Sequence, residues 1–180
     1  MARLFTIGHS TRTVEEFVSA LKVHEVTALA DIRAFPMSRH TPQFNRESLF
    51  VALQEQGIAY RWIPTLGGRR KRSMSRVESP NRGLRSESFR NYADYMLTDE
   101  FAAGIDELLG MAEHRNTAYM CAERVYFHCH RMLVSDWLVA HGHEVLHIDG
   151  EHAAKAHILT REARLRLDGK VVYSPADLFG

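Results

Sequence analysis

The sequence predicts one α/β domain, an open and mainly parallel sheet of about five strands with helices on both faces. Three observations carry that expectation. Short apolar runs of strand length alternate with longer stretches whose apolar residues recur at helical spacing. The clearest run, Val26 to Ile32, is nearly unbroken and interrupted by Asp31, as expected of a strand covered on both faces. Strand, helix and strand in succession then call for a crossover, the connection that joins parallel neighbours.

Taken in order, Leu4 to Ile7 is an apolar run ending at Gly8-His9-Ser10, and Thr13-Val14-Glu15-Glu16 has the form of a capping box. The helix this starts carries Val14, Phe17, Val18 and Leu21 on one face. After the second strand and a turn-rich segment with Pro36 and Pro42, Asn45 is placed to cap a second helix. Leu49, Phe50 and Leu53 should face inward there, with Gly57 just past its end. Ile58 to Ile63 reads as the third strand. Phe89 to Leu97 and then Phe101, Ile105, Leu108 and Leu109 mark two more helices, the later one with Asp99 and Glu100 in its first turn, where a helix dipole favours acids. Thr117 to Cys121 is the fourth strand. Leu133, Val134, Trp137 and Leu138 form the apolar face of the next helix, which Gly142 can end, and Glu144 to Ile148 is the fifth strand. The domain spans residues 1–150. Residues 151–180 read as an extension packed on it, with a candidate hairpin of Leu165 to Leu167 and Val171 to Tyr173 around Asp168-Gly169.

The 180 residues fit one core, and a net charge of +1 makes no case by itself for a polyanion partner. No run approaches the roughly 20 apolar residues of a bilayer span. MARLFTIGHS lacks the long apolar region of an export signal, so a cytoplasmic protein with reduced thiols and no membrane partner is expected. Charge is unevenly placed. Arg61 to Arg90 holds nine Arg or Lys residues against Glu78 and Glu87. Gly67 to Glu87 lacks an apolar period and reads as a long, mobile, basic loop.

Candidate chemistry concentrates in Tyr119 to Leu133, YMCAERVYFHCHRML, which holds both cysteines at a strand-to-helix turn. Unpaired N–H groups at a helix start lower the pKa of a nearby thiol. Arg131 in the first turn opposes the helix dipole and calls for compensation by Glu123 or a bound anion. In open α/β sheets ligands bind at the carboxyl ends of the strands, where this chain places His9 and Ser10, Asp31 and Arg33, Leu66 to Gly68, Cys121 and Glu123, and His147.

Seven short motifs carry a resemblance: TIGHS at Thr6 to Ser10, DIR at Asp31 to Arg33, GI-Y at Gly57 to Tyr60, LGG at Leu66 to Gly68, CAE at Cys121 to Glu123, CHR at Cys129 to Arg131, and HI at His147-Ile148. In order and at sensible spacing, they resemble the family called domain of unknown function 488, DUF488, over Thr6 to Ile148. The resemblance implies a compact α/β domain and a strand-end site, with no activity to carry over.

The leading expectation is an enzyme acting on a phosphate-bearing substrate, a nucleotide or nucleic acid. Cys121 or Cys129 would be the nucleophile, Glu123 or His9 would move the proton, and Ser10, Asp31, Arg33, Arg131, Arg69 and Arg70 would bind substrate. A cysteine phosphatase would need Cys-x5-Arg, but that position is Phe127, so this reaction is rejected. A metal site on Cys121, Cys129, His128 and His130 is an alternative, although Cys-x7-Cys is not structural zinc spacing. A non-enzymatic nucleic-acid module is the other alternative, its basic stretch 69–90 holding phosphates while Tyr60, Trp62 or Phe89 stack on bases. No nucleotide-cofactor motif is present, and the sequence does not fix the oligomeric state.

Overall fold

The computed structural model describes residues 1–72 and 78–175. Five strands form the parallel sheet: β1 (Arg3–Gly8), β2 (Ala28–Asp31), β3 (Ala59–Trp62), β4 (Thr117–Cys121) and β5 (Glu144–Ile148). A sixth, the two-residue β6 (Lys155–Ala156), adds antiparallel to β5, giving the order β3-β2-β4-β1-β5-β6. Each parallel strand but the edge strand β3 is largely buried, which is why the runs at Leu4, Leu29 and Ala118 are apolar on both faces.

Helices cover both faces. On one side α1 (Val14–Val23) and α2 (Arg46–Glu55) pack Phe17, Leu21, Leu49 and Leu53 against Ile7, Leu29 and Met120. On the other, α3 (Glu87–Tyr95), α4 (Asp99–His114) and α5 (Arg131–Ala140) pack Tyr92, Phe101, Ile105, Leu108, Leu133 and Val134 against Leu4, Ala30 and Tyr119. The capping box at the start of α1 forms as expected: Thr13 accepts from the Glu16 N–H, and the Glu16 carboxylate accepts from the Thr13 N–H. Asn45 precedes α2 but does not cap it. Its side-chain oxygen accepts instead from the Ser38 N–H at 2.7 Å, where it ties down the preceding turn. Phe50 also departs from expectation. It lies on the outer side of α2, 45% exposed, with its ring edge against Tyr60, because Leu49 and Leu53 already fill the inner stripe.

The connections set up a crevice. From β1 the chain enters α1 on one face of the sheet, whereas from the adjacent β4 it enters α5 on the other. Loops leaving neighbouring strands for opposite faces part from each other, and a ligand-sized gap opens at the strand ends.

The final segment is anchored through α5. Its hairpin pairs β7 (Ala163–Leu165) with β8 (Val171–Tyr173), and Ala163, Val171 and Tyr173 join the core that contains Leu133. Asp136, fully buried on α5, accepts from His157 Nε2 at 2.8 Å, the Thr160 N–H at 2.8 Å and the Tyr173 hydroxyl at 2.9 Å. Three donors satisfy the buried carboxyl group, and it binds three separate parts of the segment to one helix.

The basic stretch is more tied down than a mobile loop would be in the parts described. Arg70 donates to the carbonyls of Gly67, Pro64 and Thr65, and its guanidinium lies 3.7 Å from the centre of the Tyr95 ring. Farther along, Asn81 is fully buried, donates to Asp94 and accepts from the Tyr173 N–H. The middle of that stretch, 73–77, lies outside the described residues.

Candidate functional site

The site begins with the end of β1. Past Gly8 the ladder between β1 and β4 continues, with His9 N–H donating to Cys121 O at 3.0 Å and Ser10 N–H to Ala122 O at 2.9 Å. This draws the turn 121–124 directly over Gly8. A Cβ at Gly8 would sit 1.7 Å from the Glu123 carbonyl oxygen, so the glycine is what lets the two segments meet. Gly68 serves in the same way opposite, since its Cβ position is 2.8 Å from the His130 ring. The TIGHS, LGG, CAE and CHR motifs therefore converge on one point.

At that point lie the thiols. Cys121 ends β4 and Cys129 immediately precedes the turn into α5, and their Sγ atoms are 3.0 Å apart with no bond between them. They are 3% and 8% exposed, and both reach a cavity of about 390 Å³. Arg131, the first residue of α5, is 1% exposed beneath them. It donates through Nε to Cys121 Sγ at 3.0 Å, through Nη1 to Thr6 Oγ1 at 2.8 Å, and through Nη2 to the carbonyls of Glu123 and Arg124 at 2.5 and 3.0 Å.

A buried guanidinium beside two thiols favours removal of one proton, and the remaining proton can be shared across the short sulfur-sulfur contact. The charge falls on Cys129. The thiol of Cys121 donates to it, and Arg131 and the α5 N-terminus add positive potential, so its pKa is pushed down to about 6 against the opposing cost of burial. Cys121 is the deeper of the two. Burial and its hydrogen bond to Cys129 hold its pKa well above the ordinary thiol value.

Arg131 therefore has compensation, but from a different source than its sequence neighbours indicate. Glu123 pairs with neither Arg131 nor Arg33. Its side chain is exposed at the cavity edge, and only its main-chain carbonyl reaches Arg131. A carboxylate eight residues upstream was within reach on the sequence, but the tight turn over Gly8 points its carbonyl inward and its side chain out.

Arg33 is also directed inward. It forms a two-pronged pair with the fully buried Asp31, Nε to Oδ1 at 2.9 Å and Nη2 to Oδ2 at 2.6 Å, and donates to the Phe44 carbonyl. Tyr60 donates to the same carboxylate at 2.7 Å. His9 lies behind Arg33, its ring stacked on Phe44. Ser10 O can only accept, so Nδ1 carries the proton to it at 2.8 Å, and Nε2 is left to accept from Arg33 at 3.3 Å. Burial pushes the His9 pKa down to about 4, and the ring is neutral. Asp31, His9 and Ser10 thus form a shell around the site. The cavity itself is lined by Arg33, both cysteines, Glu123, Arg69, His128 and His130, among others. Arg70 is not part of that lining.

Its walls include residues that the sequence did not single out. Phe35, 70% exposed, and Met37 follow the DIR motif, and Ser88 lies in the first turn of α3 beside Phe89, which the sequence offers as a base-stacking residue. Exposed apolar residues just after a strand end were the available signal. Among the described residues no three His, Cys, Asp or Glu side chains are gathered as a metal would need. His130 is engaged instead with the Ile32 carbonyl, its Nε2 2.8 Å from that oxygen.

Fold and site together define an α/β protein with a paired-thiol centre at the crevice between oppositely directed strand-end loops. The chain belongs to the DUF488 family: the family model, Domain of unknown function DUF488, matches residues 13–138. No curated protein and no solved structure matches the chain. Among the described residues no helix is long and apolar enough to cross a membrane.

Proposed function

We propose that the protein is an enzyme whose Cys129 thiolate attacks a small phosphate-bearing molecule of nucleotide type bound in the cavity. The observation that carries this reading is the thiol pair itself, 3.0 Å apart over a buried arginine at a helix start, an environment that makes a nucleophile at neutral pH. Support for the substrate class comes from the walls. Phe35 and Phe89 offer faces on which a planar base can stack, while Arg69 brings positive charge to the same cavity. Arg33 and Arg131 contribute field rather than direct contacts, since their donors are engaged within the protein.

The thiolate would attack an electrophilic centre of the bound molecule while Cys121, still protonated, supplies the nearest proton for a departing group. The exposed carboxylate of Glu123 stands at the rim, where it can take up a proton from water in a second step. The metal reading has less support, for want of a third ligand near the cysteines among the described residues. The nucleic-acid module has less as well, because Arg70 and Arg90 bind carbonyls of their own segment.

Protection from alkylation tests the reading. Nucleoside monophosphates, diphosphates and inorganic phosphate are added separately while Cys129 is modified with iodoacetamide at pH 7. Slower modification with nucleotides, reversed by Arg69→Ala or Phe89→Ala, supports it. Rates that no nucleotide alters would refute the substrate class, and turnover surviving Cys129→Ala would refute the nucleophile.

A further inference from the structure

Cys121 has a property that a proton donor does not need. Its sulfur is already within about 1 Å of the roughly 2.05 Å of a covalent disulfide, counted from the 3.0 Å now separating it from Cys129. Neither sulfur is held elsewhere by a strong partner. Apart from Arg131 and each other, their contacts are long ones to main-chain carbonyls, Cys121 to Glu123 O at 3.7 Å and Cys129 to Tyr126 O at 3.6 Å. The two residues also come from different elements, the end of a strand and the turn before a helix, so they can close without crossing a rigid helical turn. Their separation of eight positions differs from the familiar dithiol motif, whose cysteines are three apart, yet is compatible with a Cys121–Cys129 disulfide.

We propose that Cys121 and Cys129 form a dithiol–disulfide couple that exchanges two electrons with small disulfides entering the cavity, Cys129 attacking and Cys121 resolving. The inference rests on Cys129 being the nucleophile, and it is independent of which other substrate the cavity takes. In the first step the Cys129 thiolate attacks one sulfur of R–S–S–R, forming Cys129–S–S–R and releasing one RS⁻. Cys121 then gives its proton to that thiolate or to water and attacks the Cys129 sulfur. The bond from Cys129 to the substrate sulfur breaks, the second RS⁻ leaves, and the Cys121–Cys129 disulfide remains. The dithiol is oxidised by two electrons and the small disulfide is reduced to two thiols. A monothiol in excess runs both steps backwards and restores the pair.

Arg131 sets the direction of that balance. In the dithiol state its buried charge faces a thiolate, whereas in the disulfide state it faces neutral sulfur and is left with Thr6 and two carbonyls. Stabilising the reduced form makes a disulfide easy to reopen. The couple is therefore reversible rather than a permanent staple, and while it is closed the nucleophile is absent.

The test uses the full chain and glutathione. The native protein is incubated with glutathione disulfide, quenched with acid, and analysed by intact mass and peptide mapping, beside Cys121→Ser and Cys129→Ser. The expected result is loss of two hydrogens in the wild type with no retained glutathione, a stable glutathione adduct on Cys129 in Cys121→Ser, and no adduct in Cys129→Ser. Excess reduced glutathione then regenerates the wild-type dithiol. A wild type that keeps its glutathione adduct, or a closed disulfide that reduced glutathione leaves intact, overturns the couple but leaves Cys129 as a nucleophile. If neither cysteine of the native protein reacts with glutathione disulfide or iodoacetamide, while both react in urea, the couple and the nucleophile fail together.

Discussion

Replacing Arg131 by methionine removes one charge from the centre of the site while keeping most of the side chain's length. Four acceptors lose a donor: the Cys121 sulfur, Thr6 Oγ1 and the carbonyls of Glu123 and Arg124. The two carbonyls lie in a turn whose side chains are exposed and can be rehydrated, so the main loss is the cation that faces a buried thiolate. Removing one partner of a buried charge pair costs about 3–5 kcal/mol, most of it the penalty on the charge left behind. At pH 8, where the pair is singly ionised, Arg131→Met should lower stability by that amount in urea titration. At pH 5 the thiols are neutral and the cost should fall to about 1–3 kcal/mol, the value for unsatisfied acceptors alone. Thiol titration of the same variant should show Cys129 ionising at higher pH. Arg131→Lys, which keeps the charge but lacks the planar fork, should lose less stability and retain most of the low thiol pKa. A cost near 1 kcal/mol at both pH values, with unchanged thiol ionisation, would show that Arg131 is not the counter-charge of the pair.

Other predictions follow from the same geometry. Gly8→Ala forces a Cβ onto the Glu123 carbonyl, so it should cost at least the 1–3 kcal/mol typical of overpacking and slow Cys129 alkylation; an unaltered melting temperature and alkylation rate would contradict it. Asp136→Asn leaves one donor of His157, Thr160 or Tyr173 facing an amide group, and should lower stability by about 2–4 kcal/mol and speed hydrogen exchange at Val172 and Tyr173; exchange like the wild type would refute the anchoring role. Acid should destabilise the fold in a definite window. His9 and His130 are held neutral, each with a pKa near 4, so below pH 6.5 the unfolded chain gains protons that the folded one refuses. Their contribution is intact above pH 6.5 and is lost as pH falls from 6.5 to 4. Flat stability across that window, followed by urea melts, would show that these rings accept protons freely in the folded state.

Much of the fold was legible because strand and helix periods depend on local pattern. Glu144–Ile148 and Thr117–Cys121 appear as the sequence marks them, and Thr13 to Glu16 caps α1 as its spacing predicts. Phe50 and Asn45 were misread for a shared reason. Each has the residue type for an inward or capping role, but a competing neighbour, Leu49 or the Ser38 N–H, occupies or captures that role. The site was legible as a set of strand-end motifs, because the topology rule locates strand ends without coordinates. The direction of each side chain was legible only in part. The pairing of Arg33 with Asp31 follows their spacing of two on a strand, whereas the outward turn of Glu123 depends on the backbone path over Gly8, which no spacing encodes. The Asp136-centred network joins residues far apart in the chain, and its pairing has no local signature.

The central claim is that Cys129 is a thiolate at neutral pH because Cys121 and Arg131 stabilise it. The most direct measurement is the rate of iodoacetamide modification of Cys129 from pH 4 to 10, read by peptide mass, in the wild type and in Cys121→Ala. The wild-type midpoint should lie near 6, with a clear upward displacement in Cys121→Ala, whose thiolate has lost its hydrogen-bond donor. A wild-type midpoint at the ordinary ~8.5 of a free cysteine, unmoved by the substitution, would contradict it.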